Sequence, residues 1–161
     1  MKNTFLALLV AMSVSFAQQK LSCIDAGVIL SESRFVKGKE NELRAKAEEY
    51  QKRLDQINKR LEELKKQIES RAISQTTREQ RIKEYQKLEA EGMELQQRAN
   101  RELSETRSKM EEEIINTVRS IAEDIAKRQG YVGVLDCAAF IYKIPELDIT
   151  REVLQRLDVQ K

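Results

Sequence analysis

The chain has 161 residues, with 29 lysines and arginines against 27 aspartates and glutamates, no histidine, no tryptophan and one proline. Charged residues make up 35% of it and aromatic residues 5%, a composition of long solvated helices rather than of a thick globular core. The near-neutral balance argues against a concentrated cationic face for nucleic acid, and the lack of histidine removes the commonest general base and metal ligand. No catalytic group, cofactor or metal is expected.

The first seventeen residues read as a cleavable signal peptide. Lys2 supplies a positive start, Phe5 to Val14 an apolar run, and Ser15-Phe16-Ala17 a small-x-small cleavage site, so the mature chain is expected to begin near Gln18. A largely apolar run of ten residues is too short for a membrane-spanning helix, and no second apolar run follows. Lys20 just before Cys23 argues against a lipid anchor at that cysteine. Lys2 is the one basic residue in the leader, which leaves the remainder at a net charge of +1.

Residues 18–35 form the first part of a small body, with Lys20 to Asp25 a short strand and Ala26 to Ser33 a helical turn. From Val36 to Ile73 the pattern becomes regular. Leu43, Ala47, Tyr50, Leu54, Ile57, Leu61, Leu64 and Ile68 alternate spacings of four and three, the 3.5-residue period of a coiled-coil seam. Ser74-Gln75-Thr76-Thr77 interrupts it, with Thr76 or Thr77 the expected cap of a second helix.

That second helix runs from about Arg78 to Arg128 and ends at Gly130, a residue suited to the left-handed position after a helix. Folding the chain about residue 75 sets Ile68 near Ile82, Leu61 near Leu88, Ile57 near Gly92, Leu54 near Leu95 and Tyr50 near Ala99. Large side chains thereby face small ones, as close helix packing requires. Residues 36–128 are therefore read as one antiparallel hairpin arm with its tip near 74–77. Over Leu88 to Ile121 the second helix drifts toward an eleven-residue repeat, so the two helices are not expected to mesh along their full length.

Residues 129–161 return to a strand-rich pattern: Tyr131 to Asp136 and Phe140 to Tyr142 as two strands, Pro145 as a stop, and a last helix capped by Thr150. The expected fold class is mostly α with a small β body, the hairpin being inserted between the strands of the body. Three short strands bury too little apolar surface to stand alone. Self-association through the body is the natural remedy, with Leu21, Ile24, Val132, Val134, Leu135, Ile141 and Tyr142 as its expected contacts.

At this point the chain resembles the Skp (OmpH-like) family of periplasmic chaperones. The most specific residues are the opening Lys20-Leu21-Ser22-Cys23-Ile24-Asp25, then Gly130-Tyr131, Val134-Leu135-Asp136, Tyr142, Asp148-Ile149-Thr150, Val153-Leu154 and Leu157. The resemblance implies a periplasmic homotrimer whose arms enclose unfolded outer-membrane β-barrel proteins and keep them from aggregating without ATP. In keeping with that, Ser33 stands where a phosphate-binding G-x-x-x-x-G-K would need its first glycine. The near-neutral charge departs from the more basic members of the family. A fixed-partner coiled-coil adaptor of the cell envelope is the rival reading.

Residues 59–87 carry nine basic side chains against five acidic ones, and residues 88–129 carry seven against ten. The cationic tip, including Lys65, Lys66, Arg71, Arg78, Arg81 and Lys83, is a candidate contact for clients, anionic lipid or lipopolysaccharide. A solvated face of helical ion pairs explains the same charges. Met93, Met110 and Ile115, with Ala90, are candidate client contacts inside a cavity between arms. Cys23 and Cys137 allow a disulfide within or between subunits, or two buried thiols, and members of the family generally manage without a bridge.

Overall fold

The computed structural model describes residues 20–160; the expected signal peptide lies outside the described residues. Strand β1 (Lys20–Ile24) leads into helix α1 (Ala26–Glu32), then α2 (Arg34–Glu69), α3 (Gln75–Gln129), strand β2 (Tyr131–Asp136) and a final helix α4 (Thr150–Leu157). Mostly helix with a small sheet, the architecture is the expected fold class. No helix among the described residues is long and apolar enough to cross a membrane.

Helices α2 and α3 pack antiparallel along the heptad seam. An ideal Cβ on Gly92 would lie 3.2 Å from Ile57 Cγ2, so the large-against-small pairing brings the two backbones together there. At 1.5 Å per residue α2 is about 54 Å long and α3 about 82 Å. The excess of α3 lies at the root, where Ile114, Ile121 and Ile125 join Ile29 and Val36 with Ile149, Val153 and Leu157 in one buried cluster.

Three local expectations are corrected. The tip comes earlier than the expected 74–77: α2 ends at Glu69, the turn occupies residues 70–74, and Ser74 rather than Thr76 or Thr77 caps α3, its Oγ accepting from Thr77 N at 3.2 Å. Arg78 then reaches back to donate to the carbonyls of Ile68 and Ser70, which satisfies acceptors left open by the end of α2. Thr150 does not cap α4; Ile149 holds that position, and the Thr150 hydroxyl instead donates to Asp148 Oδ1 and accepts from Asp25 N.

The third correction concerns the sheet. β1 and β2 pair in parallel, Leu21 with Gly133 through Ile24 with Asp136, so the whole arm is the crossover between neighbouring parallel strands. Phe140–Tyr142 forms no strand; a 3-10 turn at Cys137–Ala139 and an irregular stretch replace it. The far side of β1 gains a single bridge, Cys23 to Asp148, with Ile149 N donating to Cys23 O at 2.9 Å. The chain after Cys137 has been carried past β1, away from the outer edge of β2.

Candidate functional site

Along the arm, Leu64, Leu95 and Ala99 are the fully buried seam positions between Leu43 and Ala99. Leu43, Tyr50, Leu54, Ile57, Leu61, Ile68 and Leu88 are half-buried, and Ile82 near the tip is exposed. Two helices have no third layer to close their flanks, so the seam stays open to contact along its length. The seam also carries a polar layer: Tyr50 donates to Glu102 at 2.5 Å, and Lys46 reaches Glu102 and the Thr106 hydroxyl. The Tyr50 hydrogen bond, with help from Lys46, lowers the Glu102 pKa, and the same bond raises that of Tyr50. Such a layer fixes register, because sliding the helices would strand its charges.

At the tip the six named cations divide into two kinds. Arg78 is spent on carbonyls of the preceding helix, and Arg81 pairs with Glu84, which Arg60 also holds. These hydrogen bonds, Arg60 first, lower the Glu84 pKa. Lys65, Lys66, Arg71 and Lys83 make no ion pair among the described residues and stand exposed. Of the candidate cavity residues, Met93 and Ile115 are exposed, while Met110 packs against the buried root cluster. Met110 is therefore a root residue.

The body presents an apolar concavity of about 670 Å³, lined by Ile29 and Leu30 of α1, Ile115 and Val118 of α3, and Val132 and Val134 of β2. Leu21 and Leu135 are partly exposed, Val132 more so, and Ile24 and Val134 are half-buried. Outside the groove, Ile141 is fully solvent-exposed and Tyr142 is 81% exposed. Beyond its pairing with β1, β2 has no strand partner among the described residues.

One polar clasp, centred on Asp158, ties the arm root to the C-terminus, and no sequence pattern announces it. Asp158 Oδ1 accepts from the Ser33 hydroxyl at 2.8 Å and from Arg34 N at 2.7 Å and Phe35 N at 3.3 Å, placing a carboxylate on the positive end of α2. Burial works against its charge, but the hydrogen bonds from Ser33, Phe35 and Arg34 prevail and lower its pKa. Asp148 behaves alike: burial opposes, while Lys143 and Thr150 hold the carboxyl below its ordinary range. Cys23 and Cys137 are joined in a disulfide within one chain, Cα atoms 4.9 Å apart. Both sulfurs near Asp148 are thus bonded to each other, and that cluster has no thiolate to offer a metal.

A long antiparallel hairpin rooted in a minimal parallel sheet, with apolar surface left over at the root, defines a tentacle-bearing protein. Residues 20–157 match the family described as Outer membrane protein (OmpH-like), and the chain belongs to that family. An uncharacterized protein of Aquifex aeolicus is 35% identical over 158 residues, spanning 98% of this chain and 97% of that one. Among solved structures, a candidate outer membrane chaperone (OmpH-like) of Caulobacter crescentus superposes with a TM-score of 0.75 at 19% identity, covering 88% of this chain and 85% of the other. At that identity the likeness speaks for the fold.

Proposed function

We propose that the chain is an ATP-independent periplasmic holdase chaperone that assembles as a homotrimer through its body and binds unfolded outer-membrane β-barrel proteins between its arms. The observation that carries this reading is the unfinished body: an unpaired β2 edge beside a 670 Å³ apolar groove, with Ile141 and Tyr142 exposed nearby in sequence. A free sheet edge and an uncovered apolar face are what a second copy completes. Membership of the OmpH-like family supports a chaperone role. The disulfide supports an oxidising compartment outside the cytoplasm.

Holding would use the open flanks of the arm seam together with Met93 and Ala90, both exposed on α3. Each contact is weak and adaptable, and several arms around one client multiply them. Lys65, Lys66, Arg71 and Lys83 would add attraction for anionic client segments, lipid or lipopolysaccharide at the tip, screened beyond about 8 Å at physiological salt. The decisive experiment dilutes a urea-denatured β-barrel membrane protein into buffer with stoichiometric assembled chaperone. Suppressed light scattering is expected, with folded barrels left unbound. Unchanged aggregation rejects the holdase reading in favour of an envelope adaptor with fixed partners.

A further inference from the structure

Cys23 is the point at which the body is knotted. It is fully buried; its backbone pairs with Leu135 of β2 on one side and with Asp148 on the other, and its carbonyl accepts from Ile149 N. Its sulfur is bonded to Cys137, at the turn where the chain leaves β2. The N-terminal strand, the end of β2 and the C-terminal segment all meet at this one residue. The bond spans a sequence separation of 114 residues, and both arm helices lie inside the loop it closes.

We infer that this chain is a substrate of thiol oxidation, and that joining Cys23 to Cys137 is the step that lets its body close and self-associate while the arm folds without it. The inference rests on the exported, self-associating reading given above. A two-stranded sheet is marginal by itself, and a cross-link that closes so long a loop removes much of the freedom of the open chain. The arm needs no such help, since its seam and polar layer join α2 directly to α3.

The chemistry sets an order of events. One cysteine thiolate attacks a disulfide-bearing oxidant, forming a mixed disulfide and releasing one thiol of the oxidant. The second cysteine thiolate attacks the sulfur of the first, and the oxidant leaves as a dithiol carrying two electrons and the two protons. Both attacks need accessible sulfur, yet in the closed body Cys23 is 0% and Cys137 7% exposed. Oxidation therefore precedes closure, and closure then shields the bond from reduction.

The test compares three forms of the full chain: oxidised wild type, wild type reduced in mild urea and returned to buffer with reductant, and Cys23→Ser with Cys137→Ser. Reduced wild type keeps every atom of the side chains except the bond, which separates loss of the cross-link from misfit of serine. The oxidised protein should show no alkylatable thiol until it is denatured and reduced. The other two forms should keep their helical circular dichroism, melt at the body about 10 °C or more lower, and associate at least tenfold more weakly. Oxidised glutathione added to the reduced chain in mild urea should restore both properties.

Equal melting and association in all three forms overturns the inference, as does a free thiol in the native oxidised protein. If the oxidised chain is monomeric, the self-association reading fails, and the melting comparison still decides the role of the bond. If the chain in cells carries two free thiols although purified oxidation stabilises it, the exported reading fails instead.

Discussion

In the arm, Arg60 meets Glu84 across 24 residues of sequence and Tyr50 meets Glu102 across 52; in the body, Asp25 meets Thr150 and Ser33 meets Asp158, each across 125. The arm is a hairpin that closes outward from its own tip, and its apolar side chains are covered only in part. The body has Val36, Ile125, Val153 and Leu157 almost or wholly shut from solvent, and its core joins residues from both ends of the chain. Half-exposed side chains tolerate change and are free to touch other molecules. Enclosed ones are committed to architecture.

The largest effect that would test this division comes from Ile141→Asp combined with Tyr142→Asp. Both side chains are exposed in the single chain, so its melting should change little, whereas sedimentation should show assembly weakened by about two orders of magnitude, as loss of a paired hot spot does. An unaltered assembly would move the interface elsewhere. Next, Leu157→Ala should cost about 2–5 kcal/mol by denaturant unfolding, while Leu61→Ala, half-buried in the seam, should cost about half as much. Equal costs would erase the contrast between body and arm.

Smaller again is the clasp between α2 and the C-terminus. Ser33→Ala removes both the cap of α2 and the donor to Asp158, a loss of about 1–2 kcal/mol. Because the Asp158 pKa is lowered on folding, its contribution is present above the ordinary aspartate range and lost as pH falls through the folded value, below about pH 4. Thermal melts from pH 6 to 3 should therefore fall more steeply for wild type than for Asp158→Asn. Smallest is Gly92→Ala: a methyl 3.2 Å from Ile57 Cγ2 offsets the gain of about 1 kcal/mol in helix propensity. A change within about 1 kcal/mol is expected.

What was legible in the sequence followed the same division. The alternating spacings from Leu43 to Ile68 and the complementary sizes at Ile57 and Gly92 are local signals, and they placed the arm. Even there the cap is ambiguous, because four polar residues in a row offer several hydroxyls and the choice depends on where α2 stops. The body is less legible. Phe140 to Tyr142 has the composition of a strand, but pairing needs a neighbouring edge, and the bond from Cys137 to Cys23 carries that segment past β1. Asp158 gave no signal at all, since nothing in Leu157-Asp158-Val159 announces a helix start 124 residues earlier.

The parallel pairing of β1 with β2 makes the arm a detour between two fixed points. Its helices leave the sheet and return to it, so removing equal numbers of heptads from both sides of the tip leaves every strand pair, clasp and sulfur of the body where it was. Reach thus becomes an independent dimension. A lineage could lengthen or shorten the arms to suit the bulk of what they handle, with the foundation left untouched, and only a change that shortens one helix and not its partner would need a new seam.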